Sequence, residues 1–347
     1  GTAPGGGSRS GAGRWHGEGQ GQGVERGPEW AASRLPRTGA GRGMTVLVFG
    51  HSGQVATELR RLAAQRTPPV PVVALGRARA DLTEPGACAA AIRAHAPRAV
   101  INAAAYTGVD RAEAEAPQAI RLNAEAPAAM ARACAARDIP FVHISTDYVF
   151  DGAGHAPFAP GDPTAPLGVY GRSKRAGEVA VQEIMDTARE TGAGPGRYAI
   201  LRSSWVFSAH GANFVKTMLR LSEQRDHIRV VADQIGGPTP ARAIAAACLD
   251  IAGHLARDPS AAGLYHFSGT PEVSWAGFAR AIFAAAGRQV TVEDIPSAAY
   301  PTPAARPLNS RLDCSRTTQV FGLSRPEWRR DLTPLLAELD LPTGALT

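Results

Sequence analysis

From Thr45 onward the chain alternates short runs of β-branched and aliphatic residues with longer alanine-rich stretches. Thr45–Phe49, Val70–Leu75, Ala99–Ala103, Phe141–Ser145, Tyr198–Leu201 and Leu264–Phe267 are continuous apolar runs, too short for helices, and read as strands buried on both faces. The segments between them are long enough for helices. Buried strands separated by helices predict a parallel sheet covered on both sides, a doubly wound α/β fold of the Rossmann type. Beyond about Asp162 the alternation loosens, and Pro296, Pro301, Pro303 and Pro307 break Ile295–Pro307 into short pieces. A smaller, loop-rich C-terminal lobe is expected there.

Residues 1–43 do not follow this pattern. They hold 14 glycines and no apolar periodicity, a composition that cannot offset its own ordering entropy, so this extension is expected to be disordered. Met44 stands immediately before the first strand and is the expected natural start. The formal net charge is +6, but six arginines against three glutamates in residues 1–43 account for half of it, and no basic run follows. Nucleic acid is therefore not an expected partner. No stretch reaches the roughly 20 apolar residues of a bilayer span, so no membrane association and a cytoplasmic location are expected. Cys88, Cys134, Cys248 and Cys314 lie far apart with no histidines at ligand spacing, which predicts reduced thiols and no metal site.

The first strand runs into Gly50-His51-Ser52-Gly53-Gln54-Val55-Ala56 and then an amphipathic stretch through Leu59 and Leu62. A strand-to-helix turn without side chains at Gly50 and Gly53 lets backbone amides approach a pyrophosphate, and the helix start adds complementary partial charge. Glycine also serves such corners for steric reasons alone, so the turn is weak evidence by itself. The second strand ends at Leu75-Gly76-Arg77, with an arginine where an acid would bind the ribose 2′-hydroxyl of NAD. NADPH is the expected cofactor and NADH the second candidate. Asp81 and Leu82 follow where the chain passes the adenine, and Ala103, Ala104 and Ala105 offer small side chains where the dinucleotide lies close to the sheet. The predicted unit is 44–347, with the dinucleotide-binding part mainly at 44–205 and the substrate lobe largely from 206–240 and 290–347.

The sharpest chemical signal is Tyr170-Gly-Arg-Ser-Lys174. Residues i and i+4 share a helix face, so phenol and ammonium point into one space. A nearby ammonium favours the phenolate and is expected to lower the tyrosine pKa. Lys174 and Lys216 are the only lysines among 37 basic residues, so a retained lysine suggests a need for a compact, deprotonatable cation. A further hydroxyl is expected at the end of the fourth strand, where Ser145 and Thr146 point to opposite faces and spacing does not choose between them. Asp147 either accepts a substrate hydrogen bond or caps a turn.

The strings GHSGQVATELR, INAAAYTGVDRAEAE, STDYVFDG, YGRSKRAGE, LRSSWVF, NFVKTMLRL, DQIGGPT, GLYHFSG and YPTPAARPLNSRLD, in this order, resemble the dTDP-4-dehydrorhamnose reductases. These are extended short-chain dehydrogenases/reductases, and the resemblance spans Met44 to about Leu339. It implies that Thr146 is the triad hydroxyl, Tyr170 the acid and Lys174 its partner, and that Asp147 and Trp205 contact the sugar nucleotide. It also carries over Gly50, His51, Ser52, Gly53, Gln54, Val55, Asp81, Leu82, Ala103, Ala104, Ala105, Tyr170 and Lys174 as cofactor positions. Asn213, Arg306, Asn309 and Ser310 would meet the dTDP moiety. The implied reaction reduces the 4-keto group of dTDP-6-deoxy-L-lyxo-4-hexulose to dTDP-L-rhamnose. Some members link a homodimer through magnesium held by glutamates; Glu58 and Glu338 match two such positions, but Arg242 stands where a third acid is expected. The rival readings are a reductase of another dTDP-4-keto-6-deoxysugar and a regulatory subunit like that of methionine adenosyltransferase. The intact Thr146, Tyr170 and Lys174 set argues against the latter.

Overall fold

The computed structural model describes residues 1–2 and 45–340, so the expectations for the glycine-rich extension and for Met44 fall almost wholly outside the described residues. Six parallel strands form the central sheet: β1 (Val46–Phe49), β2 (Val72–Leu75), β3 (Ala99–Asn102), β4 (Phe141–Thr146), β5 (Tyr198–Ser203) and β6 (Gly263–His266). Their spatial order is β6-β5-β4-β3-β1-β2. Each strand expected from the apolar runs is present, and the ends differ for local reasons. Strand β2 starts late because the Val70 amide turns back to the Ala63 carbonyl. Strands β4 and β5 run on because Ser145 pairs with Arg202 and Thr146 with Ser203.

Alternation along β1 sends side chains to two separate cores. Val46 and Val48 pack with Leu59 of α1 (Gln54–Gln65) and with Ile244 and Leu255 of the helix Ala241–Arg257. Leu47 and Phe49 face Ile92 of α2 (Ala87–His95), Met130 of α3 (Ala126–Ala135) and Val181 of α4 (Val169–Glu190). The sheet is thus covered on both sides, the doubly wound arrangement. Strand β2 lies on one side of β1 and β3 on the other, so the chain changes direction between β1 and β3. That crevice, beyond the carboxyl ends of the strands, is where this architecture holds ligands.

A third core gathers residues from the stretches expected to build the C-terminal lobe. Phe207, Val215, Leu219, Ile228, Val230 and Val292 pack against Trp328, Leu332 and Leu336. The segment Trp275–Ala285, between the two stretches expected to build this lobe, also enters it as a helix, burying Phe278 and Ile282. Across the proline-rich stretch the structure has one short turn, Ser297–Ala299, before the strand Asn309–Ser310 pairs in parallel with Ile235–Gly236. Among the described residues no helix is long and apolar enough to cross a membrane.

Candidate active site

At the end of β1, Gly50 takes φ +119°, and an added Cβ there would sit 3.2 Å from the Ala103 carbonyl carbon. Only glycine lets this turn lie against Ala103 and Ala104 at the mouth of the crevice. Helix α1 begins after Gly53 with no side-chain cap, so its first amides remain free to bind an anion. His51, Ser52 and Gly53 are exposed beside it. Beside them the Val55 side chain packs in the sheet core, and the Gln54 Oε1 accepts from Ser208 Oγ at 3.2 Å and from Asn213 Nδ2 at 3.0 Å.

At the end of β2, Arg77 donates to Asp81 at 2.9 Å and is 76% exposed. Asp81 also accepts from the Thr83 amide and hydroxyl, and these bonds, with Arg77, hold its carboxyl at about 2. Arg77 and Asp81 therefore share one rim, with Leu82 packed partly into the core below. Ala105 is half-buried at the end of the Ala103–Ala105 run.

The other end of the crevice gathers the chemically active side chains. Strand β4 delivers Thr146, whose hydroxyl donates to Asp147 Oδ1 at 3.0 Å and accepts from the Tyr148 amide at 3.2 Å. The Thr146 hydroxyl also lies near the Tyr170 phenol and favours its ionised form, whereas the Ser145 hydroxyl is buried without a partner. Tyr148 meets Tyr170 edge-on with ring centroids 5.5 Å apart. Asp147 is buried, its Oδ1 accepts from Thr146 and its Oδ2 has no partner, with the Ser310 hydroxyl nearby. Burial pushes its carboxyl up to about 6 despite the hydroxyls of Ser310 and Thr146.

Helix α4 holds Tyr170 and Lys174 one turn apart near its start, where the Glu113 carboxylate accepts from the Val169 amide at 2.8 Å. At Gly171 a Cβ would collide with the Tyr148 carbonyl oxygen, so this glycine sets how closely the helix approaches the Thr146–Val149 turn. One expectation fails here. Burial pushes Tyr170 up to about 12, with the Thr146 hydroxyl opposing and the Asp147 charge adding to it, and the Lys174 Nζ is directed elsewhere. Lys174 Nζ donates to the Ile144 carbonyl at 2.7 Å and lies 3.3 Å from His143 Nε2.

The expected substrate contacts of the C-terminal part differ in how far their side chains are engaged within the protein. Trp205 takes φ +50°, stacks on Trp275 at 3.5 Å and presses on Gly236, the pairing neighbour of Ser310. A non-glycine residue in this region is held by its surroundings, as at many ligand clamps. Arg306 forms a two-pronged pair with Asp110 at 3.1 and 2.8 Å, close to Tyr148. Asn309 is committed to the Ala156 carbonyl and to Arg311, and Asn213 caps the helix Phe214–Ser222 while bonding Gln54.

The family described as RmlD substrate binding domain matches residues 44–341. A dTDP-4-dehydrorhamnose reductase from Sinorhizobium fredii is 44% identical over 299 residues, covering 84% of this chain and 97% of that protein. One from Escherichia coli K12 is 37% identical, covering 87% and 100%. The chain belongs to the dTDP-4-dehydrorhamnose reductase family. Among solved structures, the Bacillus anthracis dTDP-4-dehydrorhamnose reductase in complex with NADP aligns with TM-score 0.76 and 31% identity, over 86% of this chain and all of that one.

Magnesium at Glu58 and Glu338 is what the resemblance implies for this chain. Glu58, His210 and Glu338 bring ligand atoms within 4.8 Å of one another. Arg61 sits among them, bonded to Glu338 and 2.6 Å from His210 Nε2, and Arg242 lies 4.0 Å from Glu58. A set containing an imidazole and already neutralised by guanidinium does not fit magnesium, which prefers oxygen ligands. The sequence reading missed Tyr148, Glu113, Trp275 and His143. Tyr148 lies in the STDYVF string and was open to notice, whereas Trp275 reaches Trp205 only through the fold.

Proposed function

We propose that this chain catalyses NADPH-dependent reduction of the 4-keto group of dTDP-6-deoxy-L-lyxo-4-hexulose, giving dTDP-L-rhamnose in the cytoplasm. The observation that carries the reading is the convergence of Thr146, Asp147 and Tyr170 at the carboxyl edge of the sheet, beside the glycine turn of a reductase-family chain. The Gly50 cradle, the uncapped start of α1 and Arg77 fit a dinucleotide carrying a 2′-phosphate. His51, Ser52 and Gly53 would meet the pyrophosphate, Arg77 the 2′-phosphate, and Ala103, Ala104 and Ala105 the flat ring systems. Bound there, NADPH supplies the hydride.

The remaining chemistry belongs to the chain. Thr146 and Tyr170 hold the carbonyl oxygen and stabilise the charge that develops on it. Tyr170 Oη gives its proton to that oxygen as the carbonyl becomes an alcohol. Its raised pKa keeps the phenol protonated at neutral pH, the form an acid requires. Asp147, Trp205 and Ser310 line the sugar side, and Arg306 stands near Tyr148 for the nucleotide end. NADPH oxidation with the 4-keto substrate, compared between the parent and Tyr170→Phe, tests the assignment. Turnover by the parent with a loss of about 100-fold or more in the variant is expected for a general acid. Equal rates would overturn the role of Tyr170, and a parent that oxidises no NADPH would overturn the reaction.

A further inference from the structure

A fully buried histidine lies directly behind the site and the proposed chemistry leaves it unused. His143, on β4, is completely enclosed, as is its neighbour Asn102 on β3. The Ala104 amide donates to Asn102 Oδ1 at 3.1 Å, and since a backbone N–H can only donate, this bond fixes which way the side-chain amide faces. The Asn102 NH2 group then points at His143 Nδ1, 3.1 Å away. A ring nitrogen facing a donor must be the acceptor, so in neutral His143 the proton sits on Nε2. That N–H is aimed at Lys174 Nζ, 3.3 Å away.

We propose that His143, locked by Asn102 as the Nε2–H tautomer, is a positioning residue that keeps Lys174 switchable between ammonium and amine. An ammonium facing an N–H group has no acceptor there. An amine does better: it donates to the Ile144 carbonyl at 2.7 Å, accepts from His143 Nε2–H, and retains one N–H. The other groups around Nζ are Tyr170 one turn before it and Glu178 one turn after. Glu178 is held by Arg202 and Arg175 and favours the ammonium. Burial outweighs Glu178 and brings Lys174 down to about 8, and His143 is itself held neutral, first by burial and then by the lysine charge. The inference deepens the reductase reading and rests on it for the tuning of Lys174 beside the acid Tyr170, whereas the tautomer lock does not.

The test separates the two. In protein with 15N-labelled histidine, ring-nitrogen NMR identifies the His143 signal by its loss in His143→Gln. The proposal expects a neutral Nε2–H ring at pH 7; an Nδ1–H ring or an imidazolium would overturn it, whatever the enzyme reduces. The second readout is the pH profile of kcat/KM. Glutamine can offer Nζ an oxygen acceptor, so the alkaline limb should move up by about one pH unit. A variant that is merely slower at every pH, with the limb in place, would show a structural role only and refute the tuning.

Discussion

Replacing Gly171 by alanine probes how strictly the chemistry depends on the approach of α4 to the turn after Thr146. An alanine Cβ would fall inside contact distance of the Tyr148 carbonyl oxygen and within 2.9 Å of Pro166 Cβ. The first obstacle is backbone, which cannot swing aside as a long side chain can. Relief requires helix and turn to part by about 1 Å, and misplacement of that size at a reacting centre costs on the order of 100-fold in rate. Overpacking alone costs about 1–3 kcal/mol, or several degrees of Tm in a chain of this size. In a helix interior free of such contacts the same change would raise stability by about 1 kcal/mol, so even the sign is diagnostic. Steady-state kinetics and thermal denaturation of Gly171→Ala should show a kcat lower by about two orders of magnitude and a reduced Tm. NADPH binding should change far less, because Gly50–Gly53 lie on another element. A variant as active and as stable as its parent would refute the reasoning.

Two further perturbations follow from buried charge. Glu178 receives Arg202 Nε and Nη2 at 2.8 and 2.7 Å, with both partners buried. Glu178→Ala leaves that guanidinium uncompensated, at a cost of about 3–5 kcal/mol, and also removes the charge that raises Lys174. Thermal denaturation should show a large loss of Tm and the pH profile an alkaline limb moved down; neither change in a folded variant would contradict the account. Asp147 has its carboxyl raised from 3.8 to about 6, so the folded state keeps a proton that the unfolded chain has released. Stability from this group therefore falls as pH rises from about 4 to about 6, by about 3 kcal/mol in all. Asp147→Asn should lose that slope in urea melts while losing activity, and an identical slope in both proteins would disprove the assignment.

The sheet was readable in the chain because a parallel strand buried on both faces must be apolar throughout, and runs such as Val46–Phe49 have no competing explanation. Tyr170 and Lys174 were readable because a helix brings i and i+4 together without help from the rest of the fold. Contacts made by the C-terminal part were not. Nothing local links Ser310 to Asp147, Arg306 to Asp110 or Trp205 to Trp275, since each pair meets only after that part has packed. Asn213 shows the reverse case: an asparagine just before the apolar helix Phe214–Ser222 is a capping signal, and the structure uses it so. The lowered tyrosine pKa inferred from spacing also failed, because burial dominates at Tyr170 and a shared helix face does not say where Nζ finds its acceptor. That acceptor, the Ile144 carbonyl, comes from β4.

The central claim is that hydride reaches the 4-keto carbon of a dTDP-linked deoxysugar while Tyr170 protonates its oxygen. Supplying NADPH deuterated at the transferring position of the nicotinamide, with dTDP-6-deoxy-L-lyxo-4-hexulose, and reading the product by NMR tests it most directly. The account predicts dTDP-L-rhamnose carrying deuterium at C4 of the sugar, formed by the parent and lost in Tyr170→Phe. Deuterium at another carbon, a different deoxysugar, or no transfer by the folded parent would contradict it.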